Sequence, residues 1–291
     1  MAREPQLVCV VGMRGVGKTY TTKDEIKRYI LSDTRTGRSS RPVIVIDVNG
    51  EYEGYKAIDF DIDEPNEHIR AEQIRAITVP KPYRILTFHK NHQPMTPDEI
   101  ISTCATVAKY FRNGLIVMED INRYMLSNIK VDIIGLLVGL RHLGTDLIIH
   151  YQGLKAVPPR MWTNANYIRV HKYTENLDVF KERIPNYEIC KLAEIIVQTQ
   201  HRKGNIRYYV WCGIQDEKLI PCSDVGFNEI FEDACVQYLS INKRDLRDYM
   251  DLTDREGTKK FSGRPEALNA WISERKVQYL TNPPAPPEKG G

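Results

Sequence analysis

The chain has 291 residues, of which 42% are hydrophobic and 27% charged, and its formal net charge is +3. This composition is typical of a soluble globular protein and excludes a disordered chain, a collagen and a coiled coil. The length allows one sizeable α/β domain with an appendage, or two small domains. Because the net charge is nearly zero, any nucleic-acid contact must depend on local basic segments.

Apolar stretches and cysteines narrow the class of protein further. The longest uninterrupted apolar stretch, Ile133 to Leu140, is well short of the roughly 18 residues that a membrane span needs. The N-terminal residues include no apolar signal region, and we expect a protein that stays inside a cell. The six cysteines form no C-x-x-C pair, so reduced thiols are predicted rather than a disulfide or metal framework.

The first fifty residues follow a strand, turn, helix, strand pattern. Leu7–Val11 is a short apolar run that ends at glycines, and the segment from about Lys18 to Leu31 has a helical pattern. A polar loop at Thr34–Ser40 follows. Val43–Asp47 is then β-branched on both faces, as expected of a strand inside a covered parallel sheet. These elements predict a βαβ unit.

The alternation of strands and helices continues to about residue 175. The predicted elements are a strand at Arg84–Phe88, a helix from Thr96 to Gly114, a strand at Leu115–Met118, a helix at Ser127–Leu143, and strands at Asp146–Gln152 and Tyr167–Val170. Thr96 with Glu99 has the form of a capping box, and Pro97 suits the first helical position. The pattern predicts an α/β fold with a mostly parallel sheet, right-handed crossovers and flanking helices.

The pattern changes beyond residue 175. The predicted elements there are a helix at Tyr187–Ile196, a hairpin of Val197–Gln200 with Asn205–Trp211, and a helix at Phe227–Leu239. The last 40 residues lose apolar periodicity and end in a proline-rich tail. We therefore predict one domain over residues 1–215 and an accessory helix with a flexible tail over residues 216–291.

The segment Gly12-Met-Arg-Gly-Val-Gly-Lys-Thr19 fits the phosphate-loop pattern G-x-x-x-x-G-K-[ST]. It lies between a predicted buried strand and a helix N-terminus, where backbone N–H groups and the helix dipole attract phosphate. Lys18 would reach the β- and γ-phosphates, and the Thr19 hydroxyl would ligate Mg²⁺. The alternative is a purely structural glycine turn. The predicted nucleotide-binding residues are Gly12, Arg14, Gly15, Val16, Gly17, Lys18, Thr19 and Tyr20, with ATP and Mg²⁺ as the cofactors.

Paired acids follow the predicted strand at Leu115–Met118. Glu119 and Asp120 come at its carboxyl end, where one acid can hold Mg²⁺ and the other can polarise the attacking water. We assign the metal to Glu119 with Thr19. The alternative is that the two acids open a loop and cap the next segment. Two adjacent acids favour hydrolysis over phosphoryl transfer to a metabolite.

Gln152 is the last residue of the predicted strand Asp146–Gln152, and a polar amide at that position can sense the γ-phosphate or orient water. A glutamine in a plain turn is the equal alternative from position alone. A further strand at Val43–Asp47 separates the phosphate-loop strand from the strand of the paired acids in sequence. That spacing is typical of the additional-strand class of ATPases.

Two further segments resemble the FtsK/HerA superfamily of ring-shaped DNA-pumping ATPases. Val43-Ile-Val-Ile-Asp47-Val-Asn-Gly50-Glu51-Tyr52 is similar to its second-strand signature, an aspartate followed by Gly-Glu and often an aromatic residue. Arg141-His-Leu-Gly144 and the strand to Gln152 are similar to its arginine, glycine, strand and sensor glutamine. The resemblance covers roughly residues 5 to 180. It implies a RecA-like P-loop NTPase core and supports Gln152 as a sensor.

The resemblance also implies an activity and partners. The compact chain is most similar to the viral genome-packaging type, which implies ATP hydrolysis coupled to movement of double-stranded DNA by a hexameric ring. A capsid or portal-vertex protein would be a further partner, and the location would be the host cytoplasm or the virion. The alternatives are a Zot-like assembly ATPase that acts on a protein partner and a HerA-type helicase or translocase. A metabolite kinase is disfavoured.

The chain departs from the superfamily in one respect, because the usual order of the paired acids is Asp then Glu. With Glu119 before Asp120, either acid could activate water, or Asp47 or Glu51 could assist as the base. Rings of this type are completed by an arginine of the adjacent subunit, which stabilises charge on the transferring phosphoryl group. Arg141 is the first candidate, with Arg160 and Arg169 as alternates. A helix-terminal arginine is the equal alternative for Arg141.

Three basic stretches are candidates for DNA contact. They are Lys18 to Arg41, Arg202–Lys203 with Arg207 and the neighbouring aromatic residues, and Lys243 to Arg264. Most such runs are solvated faces. The second stretch combines aromatic and basic residues, which can stack on bases and neutralise phosphates, although its alternation also fits one buried face.

Overall fold

The computed structural model describes residues 4–280 apart from 33–38, 59, 61, 65, 90, 122–123, 125–134, 136, 138 and 255, and it does not describe the side chain of Arg141. Most of the predicted loop at Thr34–Ser40, much of the predicted helix at Ser127–Leu143 and the predicted tail therefore lie outside the described residues. The chain divides into two compact units. The first comprises residues 1–167 and 173–175, and the second comprises residues 168–172 and 176–291.

The first unit is built on a parallel sheet. Its strands are β1 (Leu7–Val11), β2 (Val43–Asp47), β3 (Lys56–Ala57), β4 (Pro82–Leu86), β5 (Leu115–Met118) and β6 (Asp146–Tyr151). They are ordered β3-β4-β2-β5-β6-β1, and the registered pairs are all parallel. β1, β2, β5 and β6 are buried along their whole length. Strands buried on both faces are those of a sheet covered by helices on each side.

The described helices of the first unit include α1 (Lys18–Ile30), α2 (Glu67–Arg75), α3 (Pro97–Tyr110) and the short α4 (Pro159–Asn164). The predicted capping box of α3 is present, with the Thr96 side chain accepting from Glu99 N and Glu99 accepting from the Thr96 backbone. α3 ends at Tyr110, a few residues before the predicted stop at Gly114. A 3-10 turn at Leu140–Leu143 leads into β6.

This arrangement confirms the predicted α/β fold class. β6 lies between the phosphate-loop strand β1 and the acid-bearing strand β5, as in the additional-strand class of P-loop ATPases. Because all these strands are parallel, the residues that follow β1, β2, β5 and β6 meet at one edge of the sheet. The carboxyl edge is therefore where a ligand of this unit is expected.

The elements of the second unit are β7 (Tyr167–Val170), α5 (Tyr187–Arg202), β8 (Val210–Gly213), β9 (Leu219–Pro221), α6 (Phe227–Ile241), α7 (Lys243–Met250) and α8 (Arg264–Tyr279). The first residue of β7, Tyr167, belongs to the first unit. β8 and β9 form an antiparallel pair, and β7 is next to β8. α5 packs against α6. Lys191 on α5 is paired with Asp178 at 2.8 Å, and Glu188 on α5 is paired with Arg275 on α8.

Two predictions for this region are wrong. Val197–Gln200 is not a strand, because these residues continue α5, whose residues 189–197 and Gln200 are buried. The hairpin turns across residues 214–218 and not across 202–205.

The region after residue 239 is also more ordered than its periodicity suggested. α8 buries only Ala267, Trp271 and Tyr279, so its apolar pattern is sparse. The compact units divide at residues 167–176, earlier than the predicted boundary at 215, because α5 packs with α6 and is paired with α8. Among the described residues, no helix has both the length and the apolar character to cross a bilayer.

Candidate nucleotide-binding site

The phosphate loop is held between β1 and α1 by its own backbone. Gly12 N donates to Tyr151 O of β6 at 3.1 Å, which fixes the start of the loop to the sheet. Gly15 and Gly17 have φ of 83° and 91°, in the left-handed region that favours glycine. α1 begins directly after Gly17 without a side-chain cap. Its first N–H groups therefore lack partners within the helix and can bind an anion.

Lys18 is folded onto the loop from which it projects. Its Nζ donates to Gly12 O at 2.5 Å and to Met13 O at 2.9 Å. A bound phosphoryl oxygen could replace these carbonyl oxygens as the acceptor. Val16 is buried and packs the loop against the protein, whereas Arg14, Gly15 and Tyr20 are exposed at its surface.

The structure brings Thr19 and Glu119 together although they are one hundred residues apart. Thr19 Oγ1 donates to Glu119 Oε1 at 2.8 Å. The same oxygen accepts from Tyr52 Oη at 2.9 Å and lies 3.3 Å from His150 Nδ1. Three groups from α1, β6 and the loop after β2 thus converge on one carboxylate oxygen at the carboxyl edge.

The other oxygen of Glu119 suits a cation. Glu119 is buried, and its Oε2 has no hydrogen-bond partner among the described residues. Burial raises the pKa of Glu119, but His150 and the hydroxyls of Thr19 and Tyr52 more than offset it, so the pKa is below its ordinary value. The group is thus an ionised carboxylate with an orphaned oxygen beside a threonine hydroxyl. Oxygen ligands of this kind are those that Mg²⁺ prefers.

His150 supports Glu119 from β6. Its Nε2 lies 2.9 Å from Thr22 Oγ1 of α1, and its Nδ1 faces Glu119. With a proton on Nδ1 the imidazole donates to the Glu119 carboxylate, while Nε2 is within hydrogen-bond distance of the Thr22 hydroxyl. Sequence reasoning missed Thr22 and His150. The available signal was a histidine inside an otherwise apolar buried strand.

Asp47 and Tyr52, from the segment that resembles the superfamily's second-strand signature, have a positioning function in this structure. Asp47 Oδ1 accepts from Glu51 N at 2.9 Å, and Oδ2 accepts from Tyr52 N at 3.1 Å and from Arg84 at 3.3 Å. The buried aspartate thus folds the chain so that the Tyr52 hydroxyl reaches Glu119. With its carboxylate bound by two amides and a guanidinium, Asp47 is a structural group, contrary to the alternative that it assists as the base.

Asp120 and Gln152 form a second pair at the same edge. Gln152 Nε2 donates to Asp120 Oδ1 at 2.5 Å. Gln152 is exposed and Asp120 is partly exposed, so both can meet a ligand from solution. Asp120 has φ of 46°, an uncommon conformation for a residue other than glycine, although aspartate tolerates it better than most. The structure thus separates the two acids, one buried beside Thr19 and the other open beside Gln152.

The three candidate arginines differ in exposure. Arg141 lies in the 3-10 turn before β6, but its side chain is outside the described residues. Arg160 on α4 is exposed. Arg169 on β7 is fully buried, with its guanidinium 5.7 Å from the ring of Tyr209 and 5.3 Å from that of Trp211. Because its guanidinium is buried beside these rings, Arg169 is less favoured than the exposed Arg160 for a contact with a neighbouring subunit.

These aromatic contacts also bear on the basic and aromatic stretch around residues 202–211. Tyr209 stacks on His171 with ring centroids 5.0 Å apart, and its ring also makes an edge-on contact with Trp211. Two of the aromatic rings that were candidates for stacking on nucleic-acid bases are therefore engaged within the second unit.

Comparison with known families adds to this geometry. Residues 6–138 match the family model described as the central domain of helicase HerA. This segment is similar to the ATPase domain of the HerA type. The match includes the phosphate loop, Asp47, Tyr52 and the two acids, while His150 and Gln152 lie beyond it. It confirms the resemblance to the FtsK/HerA superfamily over that part of the chain.

Solved structures with a similar chain path include two viral proteins. The DNA-packaging ATPase B204 from Sulfolobus Turreted Icosahedral Virus is 16% identical with a TM-score of 0.47, over 75% of this chain and 98% of that one. The genome packaging NTPase B204 from Sulfolobus turreted icosahedral virus 2, in complex with ATP-gammaS, is 15% identical with a TM-score of 0.43, over 75% and 96%.

A third similar structure is the N-terminal domain of zonular occludens toxin from Neisseria meningitidis. It is 14% identical with a TM-score of 0.32, over 57% of this chain and 76% of that one. Among curated protein sequences, none matches the chain.

Proposed function

We propose that this protein hydrolyses ATP and couples the hydrolysis to the movement of double-stranded DNA. The observation that carries the proposal is the meeting of the phosphate loop, Glu119 and the Asp120–Gln152 pair at one sheet edge of a HerA-type domain. Within that type, the sequence resemblance supports viral genome packaging by a hexameric ring. A capsid or portal-vertex protein would be its partner, in the host cytoplasm or the virion.

In this proposal, the residues of the site have different roles in hydrolysis. The loop amides and Lys18 bind the phosphates once Lys18 exchanges the Gly12 and Met13 carbonyls for phosphoryl oxygens. Thr19 Oγ1 and Glu119 Oε2 would hold Mg²⁺, which when bound neutralises charge on the phosphates. Tyr52 and His150 keep the Glu119 carboxylate ionised and fixed in place.

Asp120 is the base in this proposal. Its carboxylate accepts a proton from water while the water oxygen attacks the γ-phosphorus, so the bond to the β-phosphate oxygen breaks and ADP, phosphate and a proton result. Gln152 donates to Asp120, and in this proposal it orients the water or senses the γ-phosphate. An arginine from the adjacent subunit, with Arg141 as first candidate, would stabilise the charge on the transferring group.

The test is the ATPase rate with and without duplex DNA. We expect duplex DNA to raise the rate and added salt to reduce that stimulation, because a translocase grips backbone phosphates. Lys18→Ala is the control that must abolish both rates. A wild-type ATPase that ignores DNA at all salt concentrations would overturn the proposal and would instead fit a Zot-like assembly ATPase with a protein partner.

A further inference from the structure

A cleft opens at the opposite edge of the first unit's sheet. It has a volume of about 640 Å³ and lies where the chain enters β2, β4 and β5. The nucleotide site lies where parallel strands of the same sheet end. Five residues of strand separate the two edges, which corresponds to about 16 Å at roughly 3.3 Å per residue. The cleft is therefore a place distinct from the phosphate loop.

The cleft carries concentrated positive charge. Arg41, Arg75 and Arg112 line it, and none of its ten described lining residues is acidic. Hydroxyl and amide groups of Ser40, Thr78 and Asn113 add neutral hydrogen-bonding groups. Three guanidinium groups with neutral donors form a lining suited to an oxyanion, since guanidinium binds phosphate in a bidentate manner.

The three arginines of the cleft differ in the groups that their guanidiniums contact. Arg75 pairs with Glu72 at 2.8 Å and lies 4.8 Å from the centre of the Tyr110 ring. Arg112 donates to the carbonyl of Phe111 at 2.8 Å. Arg41 makes no ion pair with any described residue. Two of the three positive charges in the cleft thus lack a carboxylate partner within the described part of the chain.

The backbone next to the cleft is closely packed. Leu115 N donates to Pro42 O at 3.0 Å, which joins the entrances of β2 and β5. Gly114 fits only because it has no side chain, as a Cβ there would lie 2.6 Å from Pro42 O and 2.3 Å from the Phe111 ring. Arg41 and Arg112 are the immediate neighbours of these packed residues, so their backbones are held in place before any ligand arrives.

We propose that this cleft is a second anion site, which binds phosphate groups of a nucleic-acid backbone. The inference rests on the proposed function for its choice of duplex DNA as the source of the phosphates. Free phosphate shares the same chemistry and is separated from DNA by the experiment. In the motor, the site would hold DNA phosphates at the sheet edge opposite to ATP.

The test uses the full chain with the double variant Arg41→Ala/Arg112→Ala. Arg75 is left in place because it stacks on Tyr110 and pairs with Glu72. The matched control is Lys181→Ala/Arg183→Ala, which removes the same charge from an exposed turn of the second unit. Unchanged DNA-free ATPase rates and melting temperatures would show that both double variants are folded.

Duplex affinity is measured by fluorescence anisotropy over a range of salt. Each lost phosphate contact removes about 0.9 from the slope of log affinity against log salt, so the double variant should show a slope shallower by about 1.8. Its affinity near physiological salt should fall by about tenfold or more, and the control should match the wild type. An unchanged slope and affinity in the double variant would overturn the inference.

The same measurements distinguish failure of the proposed function from failure of the inference about the cleft. If the wild type neither binds nor responds to duplex DNA, the proposed function fails together with the inference. If the wild type responds and the double variant responds equally, the inference alone fails. Titration with inorganic phosphate identifies the source, and phosphate binding that the double variant loses without any change in duplex affinity would overturn the assignment to DNA. Loss of self-association with unchanged duplex affinity would also overturn it.

Discussion

The hydroxyl of Tyr52 gives a sharp test of the site, because the substitution Tyr52→Phe removes one oxygen and keeps the ring. That oxygen donates to Glu119 Oε1 at 2.9 Å in a buried setting. A hydrogen bond to a charged group contributes about 1.5–3 kcal/mol to stability. We therefore expect the free energy of unfolding to fall by about 2 kcal/mol, since Thr19 and His150 still contact the carboxylate.

The same substitution should affect catalysis through the Mg²⁺ site. The pKa of Glu119 rises when one of the groups that lower it is removed, and the carboxylate is less well fixed beside Thr19. If the whole 2 kcal/mol were expressed in the transition state, kcat would fall by about 30-fold. Because Tyr52 lies on the carboxylate side of the site and not on the loop amides, we expect KM for ATP to change little and the Mg²⁺ requirement to rise.

Tyr55→Phe is the matched control. Tyr55 lies next to Tyr52 with ring centroids 5.3 Å apart, and its buried hydroxyl has no hydrogen-bond partner among the described residues. Removing that hydroxyl costs no bond, so stability and rate should stay at wild-type values. Urea denaturation and ATPase assays over a range of Mg²⁺ concentrations measure both variants. A Tyr52→Phe protein as stable and active as wild type, or equal losses in the two variants, would show that the Tyr52 hydroxyl does not support Glu119.

Three further predictions address the base, the ring and one titrating histidine. Asp120→Asn should abolish turnover and leave nucleotide binding intact, which fluorescent-nucleotide binding and phosphate release can check; unchanged turnover would place the base elsewhere. Mixing Arg141→Ala subunits with Lys18→Ala subunits should partly restore ATPase activity if Arg141 acts in trans, and no recovery would count against it. Hydrogen bonds and charge from Asp63, and then Glu99, raise the pKa of His89 above 6.5, so this stabilisation is complete below that pH and is lost as the pH rises through the folded pKa. The melting-temperature difference between wild type and His89→Gln should therefore shrink from pH 6 to pH 8.5, and a constant difference would contradict the ion pairing.

The sequence could predict those parts of the site that depend on residues close together in the chain. The phosphate loop is a continuous motif between a strand and a helix, and its glycine positions follow from backbone requirements alone. The meeting of Thr19 with Glu119 follows from one further rule, that parallel strands end at a common edge. Both are present in the structure, at the edge where that rule places them.

The remaining parts of the site depend on which strands are neighbours in space. His150 reaches Glu119 only because β6 lies between β1 and β5, and no spacing in the sequence specifies that order. Asp47 was a candidate base because it is an acid at a strand end. Its actual partners, two backbone amides and Arg84, come from a loop and from the adjacent strand β4.

The second unit shows the same limit in its secondary structure. The β-branched residues Val197 and Thr199 favoured a strand at Val197–Gln200, but these residues continue a long helix that is buried over residues 189–197, and this tertiary setting overrode the local propensity. α8 was not predicted from the sequence because this helix buries few residues. Arg275 of α8 also forms an ion pair with Glu188 of α5, and a periodic pattern of apolar residues cannot predict such a contact.

Displacement of a third strand from a DNA triplex measures whether ATP hydrolysis by this protein moves duplex DNA. The wild-type protein with ATP and Mg²⁺ should displace the strand at a rate that follows ATP turnover. Asp120→Asn should bind ATP and duplex DNA but displace nothing. If the wild-type protein hydrolyses ATP at full rate on the same DNA and leaves the third strand in place, it does not move duplex DNA.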